Sequence, residues 1–176
     1  DELGFVLIDY KGGAAFAECT ELPHVLGLVT DLDGGLAQRA LTSLRAELVR
    51  RERVLRDAEA VDLDSYRHAR STGAGLAPLA RLVIVVDEFA ALVEELPDFM
   101  TGLVGIAQRG RSLGVHLVLA TQRPAGVVSP EIRANSNLRI GLRMTDAADS
   151  QDILDDPKAA TISRHTPGRA YLRVGT

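Results

Sequence analysis

The 176-residue chain has one cysteine, two lysines, no tryptophan and no apolar run long enough to cross a bilayer. Cys19 cannot form an internal disulfide, which fits a reducing compartment. No motif surrounds it, so it reads as a small buried apolar residue rather than a nucleophile. The opening residues, DELGFVLIDY, carry no initiator Met, basic region or cleavage pattern. No signal peptide is expected, and the start reads as a cut into something larger. His24, His68, His116 and His165 lack metal-ligand spacing. Ser150 beside Asp149, without a placed histidine, is not a triad. A net charge of −4 argues against a domain that coats nucleic acid. The pattern G-x-x-x-x-G-K-[ST] occurs nowhere; DYKGGAAF, residues 9–16, has glycines for a tight turn but is not a phosphate loop.

What is present is a chain of ordinary apolar content, 46%, long enough for one domain with a sizeable core. It has no internal repeat, low-complexity tract or linker, so it reads as one domain or a piece of one. GFVLIDY (4–10) is a continuous apolar run, as in a strand buried on both faces. VLGLVT (25–30), RLVIVVD (81–87) and VHLVLAT (115–121) are further buried strands. LRIGLRM (138–144) alternates Leu, Ile, Leu, Met against Arg, Gly, Arg, which predicts a strand with one open face. GRAYLRV (168–174) is a closing strand. Leu41, Leu44, Leu48 and Leu55 share one helical stripe between Leu36 and Arg56. Helices are also predicted over 63–71 (capped by Asp62), 89–95, 98–112 and 145–154. Strands alternating with helices imply an α/β fold with a largely parallel sheet.

LVIVVDEFAAL, residues 82–92, ends a hydrophobic strand in Asp87 and Glu88. Ligands of open α/β sheets bind beyond the carboxyl ends of the strands. One carboxylate there can hold the hydration shell of Mg²⁺ and a second can polarise a water. The plainer account is that Asp87 caps the next helix and Glu88 complements its dipole. LVLATQRP ends in Thr121, Gln122 and Arg123. A glutamine there can orient water against a γ-phosphate and an arginine can neutralise its charge; a polar strand exit is the ordinary alternative. Between these strands, Arg109 and Arg111 either complement a helix dipole or project into a neighbouring subunit. Residues 109–143 hold six arginines and one acid, Glu131; a solvated face would account for them.

LVIVVDEFAAL, RSLGVHLVLATQRP and IRANSNLRIGLRMTDAADSQDIL, in this order, resemble the FtsK/SpoIIIE motor ATPases. IDYKGGAAF and ELPHVLGLVTDL look closest to the type VII secretion (EccC/EssC-like) branch. The resemblance covers essentially the whole chain. It implies a RecA-like P-loop NTPase core, of which residues 1–176 form the C-terminal part of one motor domain, the Walker A loop lying upstream. Asp87 matches the Walker B aspartate and would hold Mg²⁺ through water. Glu88 matches the catalytic glutamate, and Gln122 would sense the γ-phosphate of ATP. Thr121 and Arg123 would lie against the nucleotide. Arg111 falls where a trans-acting arginine is expected, with Arg109 a substitute and Arg139 and Arg143 further interface candidates.

The implied partners are other motor modules in a ring or tandem array. The implied activity is ATP-driven polymer movement in the cytoplasm, with membrane association only through segments outside these residues. The substrate is read as a secreted protein, with double-stranded DNA the alternative and a non-hydrolysing assembly module a third reading. Without a phosphate loop, the chain alone is expected to bind ATP weakly or not at all. It is also expected to expose an apolar sheet edge.

Overall fold

The computed structural model describes residues 2–10, 15–30, 33–124 and 126–175. These form two compact units, one ending at Ala120 and one beginning at Thr121. Lys11, Gly12, Gly13 and Ala14 of the glycine-containing turn lie outside the described residues.

The first unit is built on a four-stranded, wholly parallel sheet in the order β2-β1-β3-β4. Its strands are β1 (Leu3–Asp9), β2 (Val25–Thr30), β3 (Arg81–Asp87) and β4 (Val115–Leu119). Parallel neighbours need long crossovers. Between β1 and β2 runs a 3₁₀ turn, Ala17–Glu21, in which Cys19 is half-buried rather than a core residue. Between β2 and β3 run α1 (Gly34–Asp57) and α2 (Leu63–Ser71). Between β3 and β4 run α3 (Phe89–Glu95) and α4 (Pro97–Gly110), where the sequence predicts a second helix reaching Ser112.

Helix starts follow local chemistry. Asp33 caps α1 through the Leu36 amide at 2.6 Å. Asp62 and Ser65 form a reciprocal capping box at α2. The leucine stripe of α1 is buried as predicted, and Gly102 of α4 leaves room for Leu41.

One face of β3, carrying Leu82, Ile84 and Val86, is buried; the other is half-buried. The expectation of burial on both faces holds for β1 only at Leu7 and Ile8. β4 departs further from it: His116 and Val118 are exposed. The reason is that, among the described residues, β4 pairs only with β3.

The second unit holds α5 (Pro130–Asn135), β5 (Leu138–Leu142), α6 (Ala147–Leu154), the 3₁₀ turn Pro157–Thr161 and β6 (Ala170–Val174). Here β5 and β6 form a separate antiparallel ribbon, not a continuation of the parallel sheet. The predicted alternation of β5 is present but inverted. Arg139 and Gly141 are buried, while Leu138, Ile140 and Leu142 are exposed. Gly141 has no side chain, and a Cβ there would meet Leu154 Cδ1 at 2.7 Å, so the small hydrophobic cluster of Leu154, Ala159 and Ile162 lies on that face.

Arg139 stands directly opposite Arg173 across the ribbon, a repulsive pairing by itself. Asp155, in left-handed conformation at the end of α6, resolves it. Its carboxylate lies 2.9 Å from Arg139 Nη1, 3.3 Å from Arg173 Nε and 2.8 Å from Arg133 Nη1. Partial desolvation pushes the Asp155 pKa up, but the hydrogen bond from Arg139 and the three positive charges together hold it below the ordinary carboxylate value. A depressed folded pKa means this stabilisation is complete above the unfolded value of about 4 and is lost as pH falls through the folded one. Protection of the β5 amides, measured against their intrinsic exchange rate, should therefore fall below about pH 4. D155N should be less protected at neutral pH, and its protection should fall less steeply in acid; an unchanged protection profile in D155N would refute the role given to this carboxylate.

Candidate functional site

The carboxyl ends of β1 and β3 lie side by side, with Asp9 in register with Asp87. The exit of β4 is knitted to the same point. The Ala120 amide donates to the Val86 carbonyl at 2.9 Å, and the Phe89 amide to the Ala120 carbonyl at 3.0 Å. Asp87 is half-buried and accepts the Glu88 amide at 3.0 Å.

Of the plainer account, only Asp87 as the cap fails; Glu88 does stand at the N-terminus of α3, where its charge complements the helix dipole. The N-cap of α3 is Glu88, which makes no side-chain cap hydrogen bond, and Asp87 bonds only an amide that precedes the helix. Glu88 has φ 51° and ψ 43°, the left-handed region, at about 1–2 kcal/mol for a residue with a side chain. Such conformations cluster where the backbone must aim a functional group. Here the strained backbone turns the chain from strand to helix and leaves Glu88 half-buried at the sheet's carboxyl end.

Asp9 lies in the DYKGGAAF segment but is not among the site residues expected from the sequence. It is 4% exposed, and its Oδ2 accepts the Ala15 amide at 3.3 Å. The signal was available: β1, like β3, is an apolar run that stops in aspartate. Tyr10, the next residue, donates its hydroxyl to Glu95 near the end of α3, which holds the phenol pKa above its ordinary value. Both contacts tie the segment after β1 to the edge of the site.

The donor set fits Mg²⁺ in its usual manner. The carboxylate oxygens are hard ligands at a strand end, and the ion takes few protein ligands beside its waters. The described residues hold no group of three side chains that could cage a metal.

Thr121, Gln122 and Arg123 open the second unit. Gln122 and Arg123 are exposed, and Thr121 Oγ1 accepts the Arg123 amide at 3.1 Å. Arg111 lies elsewhere. It is exposed at the end of α4, in the turn 111–114 that enters β4 beside Leu82, at the amino end of the sheet. The six steps of β3 from Arg81 to Asp87 put it roughly 20 Å from Glu88, beyond reach within one module.

A cleft of about 500 Å³ opens at this amino end, lined in part by Arg81, Gln108, Arg111, Ser112 and His116. Partial desolvation and the charge of Arg81 hold the His116 pKa below its ordinary value. Arg109, two residues before Arg111, is exposed and donates to its own helix at Gly105. Of the weaker interface candidates, Arg139 is taken up by Asp155 and only 7% exposed, whereas Arg143 is exposed.

The FtsK/SpoIIIE family model matches residues 1–126, which include Asp9, Asp87, Glu88, Arg111 and Gln122. This chain belongs to the FtsK/SpoIIIE family. It is 47% identical over 174 residues to the type VII secretion system protein EssC of Staphylococcus aureus. It is 44% identical over 176 residues to the ESX secretion system protein EccC of Geobacillus thermodenitrificans. Each match takes 99% of this chain but only 12% of the relative's length. Among solved structures, the cytoplasmic domain of the type VII secretion ATPase EccC of Thermomonospora curvata matches with a TM-score of 0.88 at 39% identity. That match covers 99% of this chain and 21% of the other. The fold is thus the RecA-like P-loop ATPase core that the sequence resemblance implied. No helix among the described residues is long and apolar enough to cross a membrane.

Proposed function

We propose that this FtsK/SpoIIIE chain is the C-terminal part of one motor domain in a longer ATP-driven translocase, and that its substrate is a secreted polypeptide. The observation that carries the catalytic reading is Glu88. It is held in a left-handed conformation beside Asp87 at the carboxyl end of a central parallel strand, with no capping bond to explain its presence.

Asp87 would hold Mg²⁺ through water, and the ion would supply charge neutralisation at the nucleotide's phosphates. Glu88 accepts a proton from the attacking water. Gln122 aligns that water against the γ-phosphate, with Thr121 and Arg123 beside the nucleotide. Phosphate-cradling amides and their lysine come from residues outside this sequence, because no phosphate-loop pattern occurs within it. Arg111, roughly 20 Å away at the other end of the sheet, serves a neighbouring module's nucleotide. Successive modules in a ring or tandem array, on the cytoplasmic side, then complete one another's sites.

The charge distribution favours polypeptide over DNA. Arg133, Arg139 and Arg173 converge on Asp155 and are not offered to a phosphate backbone, and the net charge is −4. The relatives named for type VII secretion support the same choice. The deciding experiment is ATP hydrolysis by the full-length protein containing this chain, with and without duplex DNA. Rates indifferent to DNA are expected. Stimulation by DNA that fades with added salt would instead support a DNA motor.

A further inference from the structure

We propose that Arg51 is a positioning residue for Arg111, a buried guanidinium that locks the turn from which Arg111 projects. The inference rests on the reading of Arg111 as the residue that serves a neighbouring module.

Residues 111–114 form a turn between α4 and β4. Its three consecutive carbonyls at 112, 113 and 114 are each held by a different element. The Leu63 amide, at the start of α2, donates to the Ser112 carbonyl at 2.8 Å. Arg51 Nη1, from the C-terminal part of α1, donates to the Leu113 carbonyl at 2.9 Å. The Leu82 amide of β3 donates to the Gly114 carbonyl at 2.9 Å. The turn closes on itself through the Gly114 amide and the Arg111 carbonyl at 3.2 Å.

Of these anchors, Arg51 is the only side chain. It is 3% exposed, and its Nε is oriented by Glu47 at 2.7 Å. A planar guanidinium can bond a carboxylate and a carbonyl at once from fixed directions, as a lysine cannot. Burying a charge to hold one loop carbonyl is costly, and an apolar residue would fill the space more cheaply. The expense is intelligible if the turn's exact placement matters.

What the turn presents supports this. Arg111 is exposed and makes no side-chain hydrogen bond or ion pair among the described residues. An unpaired cation on a rigidly held turn is preorganised to meet developing negative charge without rearrangement. A cation on a loose turn would lose that advantage.

The test is a double-mutant cycle on ATP hydrolysis in the full-length protein, using R111A, R51M and the pair. R111A should lower kcat by about 10³-fold. R51M should lower kcat by up to about 10²-fold, with KM unchanged, since a misplacement of about 1 Å far from the chemistry can cost that much. In the R111A background, R51M should bring no further loss. R51K should fall between wild type and R51M, and it carries the same cycle if R51M does not fold. An equal loss from the Arg51 substitution in both backgrounds would reduce Arg51 to a general stabilising residue and overturn the proposal. So would full activity in R51M beside a crippled R111A. Undiminished kcat in R111A would overturn the assignment of Arg111 itself, and the positioning role with it.

Discussion

Glu88→Gln, in the full-length protein, is expected to abolish ATP hydrolysis, with a fall in kcat of about 10²–10⁴-fold, the usual worth of a general base. The amide keeps the size of the side chain and the backbone geometry but cannot accept the proton. Nucleotide affinity should persist, because Glu88 is not assigned to phosphate or metal. Folding should be unaffected, since the side chain makes no cap bond to lose. A companion variant separates strain from chemistry. Glu88→Gly removes the left-handed penalty at φ 51° and should raise stability by about 1 kcal/mol while hydrolysis is equally lost. Thermal melts beside single-turnover hydrolysis check both. Substantial hydrolysis in Glu88→Gln would sink the assignment, and a destabilised Glu88→Gly would show that the carboxylate stabilises the fold.

The second large effect is structural. Gly114→Ala should destabilise the first unit by about 3 kcal/mol, from two sources. Gly114 has φ 73°, where any side chain is strained. An added Cβ would also stand 2.1 Å from Leu63 Cδ2 and 3.2 Å from Leu63 Cγ. Leu63 is 2% exposed, so it cannot swing into solvent without opening the start of α2. Relief must come from the turn or from α2, and either breaks the bond from Leu63 to Ser112. Differential scanning calorimetry should record a drop of roughly 10 °C in the first unit's transition. A shift within about 1–2 °C would mean that α2 moves more freely than its capping box and buried leucine suggest. The equivalent change at Gly105, where an added Cβ would meet nothing within 4 Å, supplies the contrast.

The parallel sheet was legible because its strands are dense apolar runs separated by helical stripes. The signals at β3 and α2, with their aspartate and capping residues, set boundaries that the structure reproduces. The orientation of β5 was not legible. Apolar alternation normally points the leucines inward, but Gly141 and a three-arginine contact with Asp155 reverse it. That depends on partners up to 34 residues away, from Arg139 to Arg173, which no local period encodes.

Within the site, the Asp87–Glu88 pair was visible as an abrupt end to an apolar run. The left-handed backbone of Glu88 was not, since propensity assigns that conformation to glycine or asparagine. Asp9 escaped notice because its significance lies in register with Asp87, a property of pairing and not of sequence. Arg51 looked like one more charge on a salt-bridged helix, and its burial follows from where Leu113 packs.

The strand order also governs how the chain acquires its shape. Asp9 and Asp87 become neighbours only when Leu3 through Asp9 pair with Arg81 through Asp87, across the whole of α1 and α2. During synthesis, β1 and β2 can pair early, but Asp87, which completes the carboxylate pair, is made 78 residues after Asp9. Pairing at such separation is slow, because the loop must close before any contact rewards it. Until then β1 presents an unfilled strand edge of Val, Leu and Ile to the cell. The nascent chain is thus a natural client for chaperones during that interval, and the Asp9–Asp87 pair forms only after α1 and α2 have been made.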